Sequence, residues 1–381
     1  MFELSPEQKD IRQAAREFAE KEFTDIAREL DGKEEFDGRL WKKAAELGFL
    51  GMFIEEEYGG PGLGHLDQTI VIEEFARVDT GIAQCMVSAY FGTQLIKLYG
   101  TEEQKKKYLP AVCSGKWICG MASTEPDAGS DVVAITTTAV KDGNDYVISG
   151  NKIFITNGTK ADFLVVLCVT NPDAKRKHER LSTIIVETNR EGYEANRLHG
   201  KLSIRCSDTC EVAFHDVRVP QSNLVGVEGK GFYQLMEFFN RARLEGGAGL
   251  AIGTAQGALE KAISHVKGRK AFGTTLAVNP VVQTKIAEMA TLLEAGRSLL
   301  YRAAASVDAG NIDHTLVAMA KWFTCEMAVK VADEAIQLHG GYGILEEYNV
   351  AHYWRDAKVL EIFEGTKEIE KILIGKNLLG R

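Results

Sequence analysis

Residues 136–149 have the sequence TTTAVKDGNDYVIS, in which two β-prone runs flank the turn Lys141-Asp142-Gly143-Asn144. Runs of β-branched and aromatic residues joined by such a turn are typical of a β-hairpin. The same pattern continues in Asn151–Thr156, Phe163–Thr170, Leu181–Glu187 and Glu211–Val219. Because no segment with helical periodicity interrupts them, we predict an antiparallel β-barrel or sandwich from about Trp117 to Gly229.

Helical patterns flank this β region on the N-terminal side. Ser5-Pro6-Glu7-Gln8 is a capping box with proline at the first helical position. Behind it the apolar residues Ile11, Ala15 and Phe18 follow the period of a helix. The glycine-rich stretch 58–64 then predicts a tight, irregular loop.

Helical patterns return after Gly229 and continue to the end of the chain. One face of a predicted helix carries Ile286, Met289, Leu293 and Leu300. The fold class is therefore mainly α with a central β domain. We predict an N-terminal helical domain (1–116), a middle β domain (117–229) and a C-terminal helical domain (230–381).

Composition and charge narrow the function. The 381 residues are 45% hydrophobic and 26% charged, as in an ordinary globular protein, and the net charge is −9. Such an acidic chain is a poor candidate for binding nucleic acid or an anionic membrane. The seven scattered cysteines form no CxxC pair. This argues against a disulfide framework and a zinc site, and favours a reducing compartment.

The N-terminus and the hydropathy predict a location. Charged residues stand where a signal peptide needs an apolar run, and the longest apolar run, Phe163–Val169, is too short to cross a bilayer. We expect a soluble protein without membrane insertion. Since no transit peptide precedes the first predicted helix, bacterial or archaeal cytoplasm is favoured over the mitochondrial matrix.

Three segments could carry chemistry. Thr124–Asp131 is a Pro/Gly turn bracketed by hydroxyls, which is either a surface turn or a site for an electron-rich ring or a phosphate. Gln337–Gly343 is a glycine-stopped helix end, either a simple C-cap or a place where amides meet a pyrophosphate. Ile362–Thr366 places Glu364 between apolar neighbours and glycine. That glutamate is either solvated or a base with a raised pKa.

In this order and spacing the three segments resemble the acyl-CoA dehydrogenase family, and the resemblance covers essentially the whole chain. Further motifs that carry it are Glu46–Gly51, Tyr58–Gly64, Lys152–Gly158, Val217–Pro220, Arg269–Gly273 and Arg355–Lys358. It implies a helical, β and four-helix-bundle domain order, non-covalently bound FAD, and a homotetramer built as a dimer of dimers. It also implies an acyl-CoA substrate and electron transfer to an electron-transfer flavoprotein.

The resemblance also implies which residues contact FAD. Thr124, Ser130 and Thr156 should line the flavin, with Phe154 beside the ring and Thr366 also in contact. Across a subunit interface, the pyrophosphate and adenosine half should meet Arg269, Phe272, Gln337, Gly340 and Gly341. Pro280 stands where relatives often have a glutamine near the adenine, which leaves that contact open.

Glu364 matches the catalytic base of the family. The implied reaction removes the α-proton of the thioester while hydride leaves Cβ for flavin N5. The carbonyl is polarised by a flavin ribityl hydroxyl and the backbone N–H of Glu364. Some relatives place the base just before the arginine of a helix in the last domain. Here that position is Ala242, before Arg243, so Glu364 is the sole good candidate.

The residues expected to contact the substrate are Ser130, Tyr90, Phe91, Asn240, Arg243 and Gly365. Arg243 could equally be a buried arginine that pairs with a helix carboxylate. Large rings at 90–91 opposite the glycine-rich segment 246–249 favour a short, branched or alicyclic acyl group, although close helix packing also explains those glycines.

Two other enzymes on this scaffold, and one non-catalytic role, are alternatives. A decarboxylating glutaryl-CoA dehydrogenase is disfavoured because its carboxylate-binding arginine aligns with Ala83. A flavin oxidase or monooxygenase would reduce O₂ directly. A binding or assembly protein with this fold should have lost Glu364 or the flavin-contacting hydroxyls, and neither is lost.

Overall fold

The computed structural model describes residues 3–380. Its N-terminal part is helical and packs around a cluster of phenylalanines. The helices are α1 (Pro6–Phe23), α2 (Ala27–Lys33), α3 (Arg39–Glu46), α4 (His65–Val78), α5 (Thr80–Ser88), α6 (Thr93–Tyr99) and α7 (Glu102–Cys113). The predicted capping box is confirmed, because Ser5 accepts from the Gln8 N–H and the Gln8 side chain accepts from the Ser5 N–H. The rings of Phe18, Phe23 and Phe75 meet at 5.3–5.6 Å.

The middle part is a β-sheet. Its strands are β1 (Cys119–Ala122), β2 (Thr138–Asp142), β3 (Asp145–Thr156), β4 (Phe163–Val169), β5 (Leu181–Glu187), β6 (Tyr193–Arg197), β7 (Thr209–Pro220) and β8 (Leu224–Val225). The order is β6-β7-β3-β2-β4-β5-β8, and β1 pairs with β4. The pairing is mostly antiparallel, as predicted, but β4 pairs in parallel with both β1 and β2.

The hairpin predicted at 136–149 is present as β2 and β3. The separate strands expected at Tyr146–Ser149 and Asn151–Thr156 were wrong, because both belong to the continuous strand β3. Its pairing with β7 shifts register between Ile148 and Gly150 and again between Lys152 and Ile155. Such bulges break the alternation of side chains, so one strand has the sequence pattern of two.

The C-terminal part is again helical. Its helices are α8 (Gly231–Ala242), α9 (Leu250–Gly268), α10 (Pro280–Asp308), α11 (His314–His339), α12 (Val350–Leu360) and α13 (Lys367–Leu378). A π-helical segment, Arg243–Gly249, joins α8 to α9 without a break. A small hairpin of β9 (Lys270–Ala271) and β10 (Thr274–Thr275) separates α9 from α10.

The main core joins all three parts of the chain. It contains residues of the N-terminal helices, one face of the sheet and the C-terminal helices, whereas the other sheet face has its own smaller core. Helices α4 and α9 approach closely, since a Cβ on Gly253 would lie 2.2 Å from the Glu73 carbonyl oxygen. No helix within residues 3–380 combines the length and apolarity needed to span a membrane.

Candidate active site

Glu364 lies in the tight turn between α12 and α13. Its φ is +55° and that of Gly365 is +106°, so both residues leave the helical conformation. The Thr366 hydroxyl then caps α13 by accepting from the Ile369 N–H. Within the described residues the Glu364 N–H has no acceptor. The turn therefore presents both a carboxylate and a free backbone donor.

The Glu364 carboxylate is buried, and neither oxygen has a hydrogen-bond partner among the described residues. It lies against the π-helical segment, where a Cβ on Gly246 would be 2.4 Å from Oε1 and one on Gly247 would be 3.6 Å from Oε2. Gly249 instead packs against Thr69, at 3.4 Å from its Cγ2. These glycines make room for the carboxylate and for helix contacts, so they do not by themselves measure the width of an acyl pocket.

Burial raises the pKa of Glu364 to about 8, well above the ordinary value for a carboxyl group. The charges of Lys321 and Arg243 oppose this rise, while those of Glu245 and Glu370 add to it. The raised pKa expected for a glutamate in an apolar pocket is thus present. A carboxyl group tuned in this way can take up a proton near neutral pH.

Two buried cations hold the backbone of the turn. Arg243 donates from Nε to the Glu364 carbonyl oxygen at 2.6 Å and pairs with Glu370 at 3.0 Å. The pairing of Arg243 with a helix carboxylate, one of its two expected roles, is therefore observed. Lys321 donates to the neighbouring carbonyl of Gly365.

Sequence reasoning missed both Lys321 and Glu370. The helical period of α11 could have revealed Lys321, because it lies four residues from the buried residues Val317 and Cys325 on one face. A lysine on an apolar helix face needs a buried partner, and the Gly365 carbonyl is that partner.

A second polar cluster adjoins the turn. Glu245 in the π-helical segment accepts from the Tyr90 hydroxyl at 3.0 Å and lies 2.7 Å from His65 Nδ1. The His65 ring stacks on Phe53 at 4.9 Å. Tyr90 is fully buried, as expected for a wall residue, whereas the sequence analysis did not single out Glu245 or His65.

Two further predicted substrate residues, Phe91 and Asn240, lie in the helical parts of the chain. Phe91 is half-buried and meets Phe238 edge-on at 4.8 Å. Asn240 is buried near the end of α8 and donates from Nδ2 to Glu237 Oε2 at 3.3 Å. The substrate roles of Phe91 and Asn240 stay predictions.

The residues expected along the flavin lie on the β domain. Phe154 has φ +59° at the second register shift of β3, and its side chain is 64% exposed. The Thr124–Asp131 turn leaves Ser130 exposed, and a buried ion pair of Glu125 with Lys152 at 2.9 Å anchors it. An exposed ring beside hydroxyl-bearing turns fits a planar, hydrogen-bonding ligand such as a flavin.

Four of the residues expected at the pyrophosphate and adenosine half, Arg269, Gln337, Gly340 and Gly341, line a cleft of about 440 Å³ at the end of α11. Its lining consists of His265, Arg269, Leu276, Gln337, Leu338, His339, Gly340, Gly341, Tyr342 and Leu345. The Arg269 guanidinium lies over the Tyr342 ring at 5.3 Å, and no carboxylate in residues 3–380 pairs with it. An uncommitted guanidinium beside the exposed glycines of a helix end fits a phosphate group.

The structure does not bring all the predicted cofactor residues together. Thr124, Phe154 and Thr156 do not line the α11 cleft. Phe272 lies at the tip of the β9–β10 hairpin, outside the cleft and 99% exposed. Pro280 is the first residue of α10 and, as a proline, supplies no side-chain hydrogen bond.

Known proteins match this chain over nearly its whole length. Sequence profiles of the N-terminal, middle and C-terminal domains of acyl-CoA dehydrogenases match residues 5–116, 120–217 and 229–379. The acryloyl-CoA reductase (NADH) of Anaerotignum propionicum is 40% identical, over 100% of this chain and 96% of its own length.

Two solved structures superpose over their full length. Butyryl-CoA dehydrogenase from Megasphaera elsdenii has a TM-score of 0.96 at 35% identity, with 100% of both chains covered. A chain from work on the electron transferring flavoprotein of Acidaminococcus fermentans has a TM-score of 0.97 at 37% identity, again with 100% of both chains covered.

Proposed function

The chain belongs to the acyl-CoA dehydrogenase family of FAD-dependent oxidoreductases, and we propose that it converts a short, branched or alicyclic acyl-CoA to the 2,3-enoyl-CoA. The observation that carries this proposal is the Glu364 carboxylate, which is buried and has no hydrogen-bond partner among residues 3–380. A carboxylate without such a partner is free to accept a substrate proton. We assign Glu364 as the base that takes the α-proton of the thioester.

The backbone beside the base supports this assignment. The Glu364 N–H has no acceptor in the described residues and can donate to the thioester carbonyl oxygen. Negative charge develops on that oxygen as the α-proton leaves, so a fixed donor there lowers the barrier. One residue would then both remove the proton and stabilise the resulting charge.

We propose that FAD is held by two sets of residues. Thr124, Ser130, Phe154, Thr156 and Thr366 would contact the flavin half. The α11 cleft, with Arg269, Gln337, Gly340 and Gly341, and the exposed Phe272 would contact the pyrophosphate and adenosine half. When bound, FAD supplies the acceptor for the hydride that leaves the substrate Cβ.

Because those two sets do not share one cleft, we propose that a second copy of the chain completes the site, within a homotetramer. The 99% exposed ring of Phe272 supports an interface at the hairpin. We further propose an electron-transfer flavoprotein as the acceptor of the electrons. The likeness to a chain from work on such a flavoprotein supports that partner.

The acyl group is proposed to be short and uncharged. The buried Tyr90 and the half-buried Phe91 limit depth, and a structural relative acts on butyryl-CoA by its name. Glu245, accepting from Tyr90, would repel an acyl group that ends in a carboxylate. Ala83 offers no guanidinium to offset that repulsion, so a glutaryl substrate is disfavoured. Asn240, Arg243, Ser130 and Gly365 are the remaining proposed substrate contacts.

A second candidate function is reduction of a 2,3-enoyl-CoA, the reverse reaction. The 40% identity to an acryloyl-CoA reductase over the full chain favours it. The two directions use the same base, since the group that removes the α-proton also returns it. NADH-dependent reduction of acryloyl-CoA, assayed with and without an electron-transfer flavoprotein, would identify this direction.

The test is an anaerobic titration of the FAD-loaded protein with butyryl, isobutyryl, isovaleryl, octanoyl, glutaryl and cyclohexanecarboxyl thioesters. Loss of flavin absorbance with one or two short or branched members is expected. Activity that rises with straight-chain length would contradict the proposed acyl class. Rapid reoxidation of the reduced protein by O₂ would instead indicate an oxidase.

Glu364→Gln should keep FAD bound while the rate of flavin reduction falls by about 10²–10⁴-fold, because the amide cannot accept the α-proton. Stopped-flow absorbance measures this rate. The matched control is Glu368→Gln, an exposed carboxylate in the first turn of α13, which should reduce flavin at the parent rate. Undiminished reduction by Glu364→Gln would show that another group is the base.

A further inference from the structure

Lys321 is a buried lysine beside the Glu364–Gly365 turn. Its side chain lies inside the molecule, and the residue is 1% exposed. Within residues 3–380 no carboxylate lies at ion-pair distance from its ammonium group, and its recorded hydrogen bond is to the Gly365 carbonyl oxygen. Burying an ammonium group without a paired charge is costly. We therefore expect the Lys321 ammonium group to have a role that offsets the cost of burying it.

The groups that face Lys321 and the turn come from several elements. Arg243 and Glu245 belong to the π-helical segment, Glu370 to α13, and Tyr90 follows α5. Arg243 is already paired with Glu370, and Glu245 accepts from Tyr90 and lies against His65. Within residues 3–380, Lys321 is therefore a positive charge of this group that is not committed to another carboxylate, and the Glu364 carboxylate has no hydrogen-bond partner.

Resting on Glu364 as the proposed base, we infer that Lys321 is a positioning residue for it: it anchors the Glu364–Gly365 turn through the Gly365 carbonyl and supplies the charge that favours ionised Glu364. The two parts act together. The anchor keeps the left-handed Glu364 in the conformation that faces the π-helical segment, and the charge offsets part of the desolvation of its carboxylate. The charge of Lys321 lowers the pKa of Glu364, and it lowers that pKa more than the charge of Arg243 does.

A purely structural lysine would have a different consequence. If Lys321 only tied α11 to the turn, its removal would lower stability equally at every pH. If it also acts on the base, its removal shifts the pH at which Glu364 ionises. The pH dependence therefore separates the two roles.

The experiment compares thermal unfolding of full-length, FAD-saturated protein with and without Glu364→Gln, from pH 5 to 10 and without substrate. A carboxyl group with a raised native pKa destabilises the protein progressively as pH rises above its unfolded value, until pH passes the native pKa. The gain in stability from Glu364→Gln should thus grow with pH and level off near pH 8 in the protein that keeps Lys321. We call the pH at which this gain stops growing the levelling pH. In the Lys321→Met protein the levelling pH should be about one pH unit higher or more.

Two variants serve as controls. Lys330 lies on α11, as Lys321 does, and forms a surface ion pair with Glu326. Lys330→Met should therefore leave the levelling pH unchanged. Lys321→Arg keeps the charge and a donor, so it should return the levelling pH toward the parent value. If Lys321→Met does not fold, Lys321→Gln keeps an N–H donor, removes the charge and gives the same comparison.

An unchanged levelling pH in Lys321→Met or Lys321→Gln overturns the inference, whatever the protein does with acyl-CoA. The measurement needs no substrate, so it stays informative if no thioester reduces the flavin. Failure of the proposed function would instead appear as a shifted levelling pH together with no flavin reduction by any thioester.

Discussion

Three of the residues assigned to the site have a left-handed backbone that non-glycine residues rarely adopt. Glu364, Phe154 and Phe272 have φ values of +55°, +59° and +51°. Such conformations cost about 1–3 kcal/mol each and persist only where the surrounding structure holds them. At Glu364 the holding contacts are the hydrogen bonds from Arg243 and Lys321 to the carbonyls of the turn.

At the same scale, Gly246→Ala should slow flavin reduction by at least about tenfold, because the new methyl group would occupy the place of the Glu364 carboxylate. The nearest atoms to that Cβ all belong to the Glu364 carboxylate, at 2.4–3.1 Å. The control is Gly375→Ala in α13, where a Cβ meets nothing within 4 Å and alanine favours the helix. A parent rate of flavin reduction in Gly246→Ala, measured by stopped flow, would contradict the placement of the carboxylate.

Among the elements, the π-helical segment Arg243–Gly249 shapes the surroundings of Glu364. It supplies Arg243 to the turn, Glu245 to the cluster with Tyr90, and the backbone surface at Gly246. An α-helix has a fixed number of residues per turn, and a π-helical turn contains one residue more. The segment therefore changes which side chains of the long α8–α9 rod face Glu364.

The next prediction concerns cofactor binding at the α11 cleft. Arg269→Ala should lower the FAD that stays bound through gel filtration, because the guanidinium lines the cleft beside its exposed glycines. Lys267→Ala, which removes an exposed charge from the last turn of α9, just before Arg269, is the control. Equal flavin content in Arg269→Ala and the parent would mean that the pyrophosphate binds elsewhere.

For the whole molecule, a buried charge cluster joins distant parts of the chain. His352 on α12 lies 3.0 Å from Asp79, which caps α5, and 3.3 Å from Asp356. Asp356 also accepts from the Ile204 N–H, in the connection between β6 and β7, at 2.7 Å. Although burial opposes it, the charges of Asp356 and Asp79 hold the pKa of His352 well above its ordinary value.

His352→Gln should cost about 3–5 kcal/mol of stability, since it removes the cation and leaves the buried carboxylates uncompensated. Urea unfolding at pH 7 measures the change. His215→Gln removes an exposed histidine of the β domain and should change stability by less than about 0.5 kcal/mol. A His352→Gln protein as stable as the parent would show that the cluster does not hold the domains together.

Local patterns in the sequence were sufficient to predict the order of the domains, the Ser5–Gln8 capping box, the β2–β3 hairpin and Glu364 as a candidate residue. These features depend on residues close together in the chain, whose spacing alone sets helix, strand and cap. The parallel pairings of β4 and the single strand β3 were not predictable in this way, because pairing and bulges involve residues of separate strands.

The environment of Glu364 was decided only by the tertiary structure. Arg243 and Glu364 are 121 residues apart in the chain, and Lys321 and Gly365 are 44 apart. Sequence patterns identified Glu364 as a candidate, but its burial and the charges around it arise where α8, the π-helical segment, α11 and α13 pack together. A pKa depends on desolvation and nearby charge, and both are properties of that packing rather than of the local sequence.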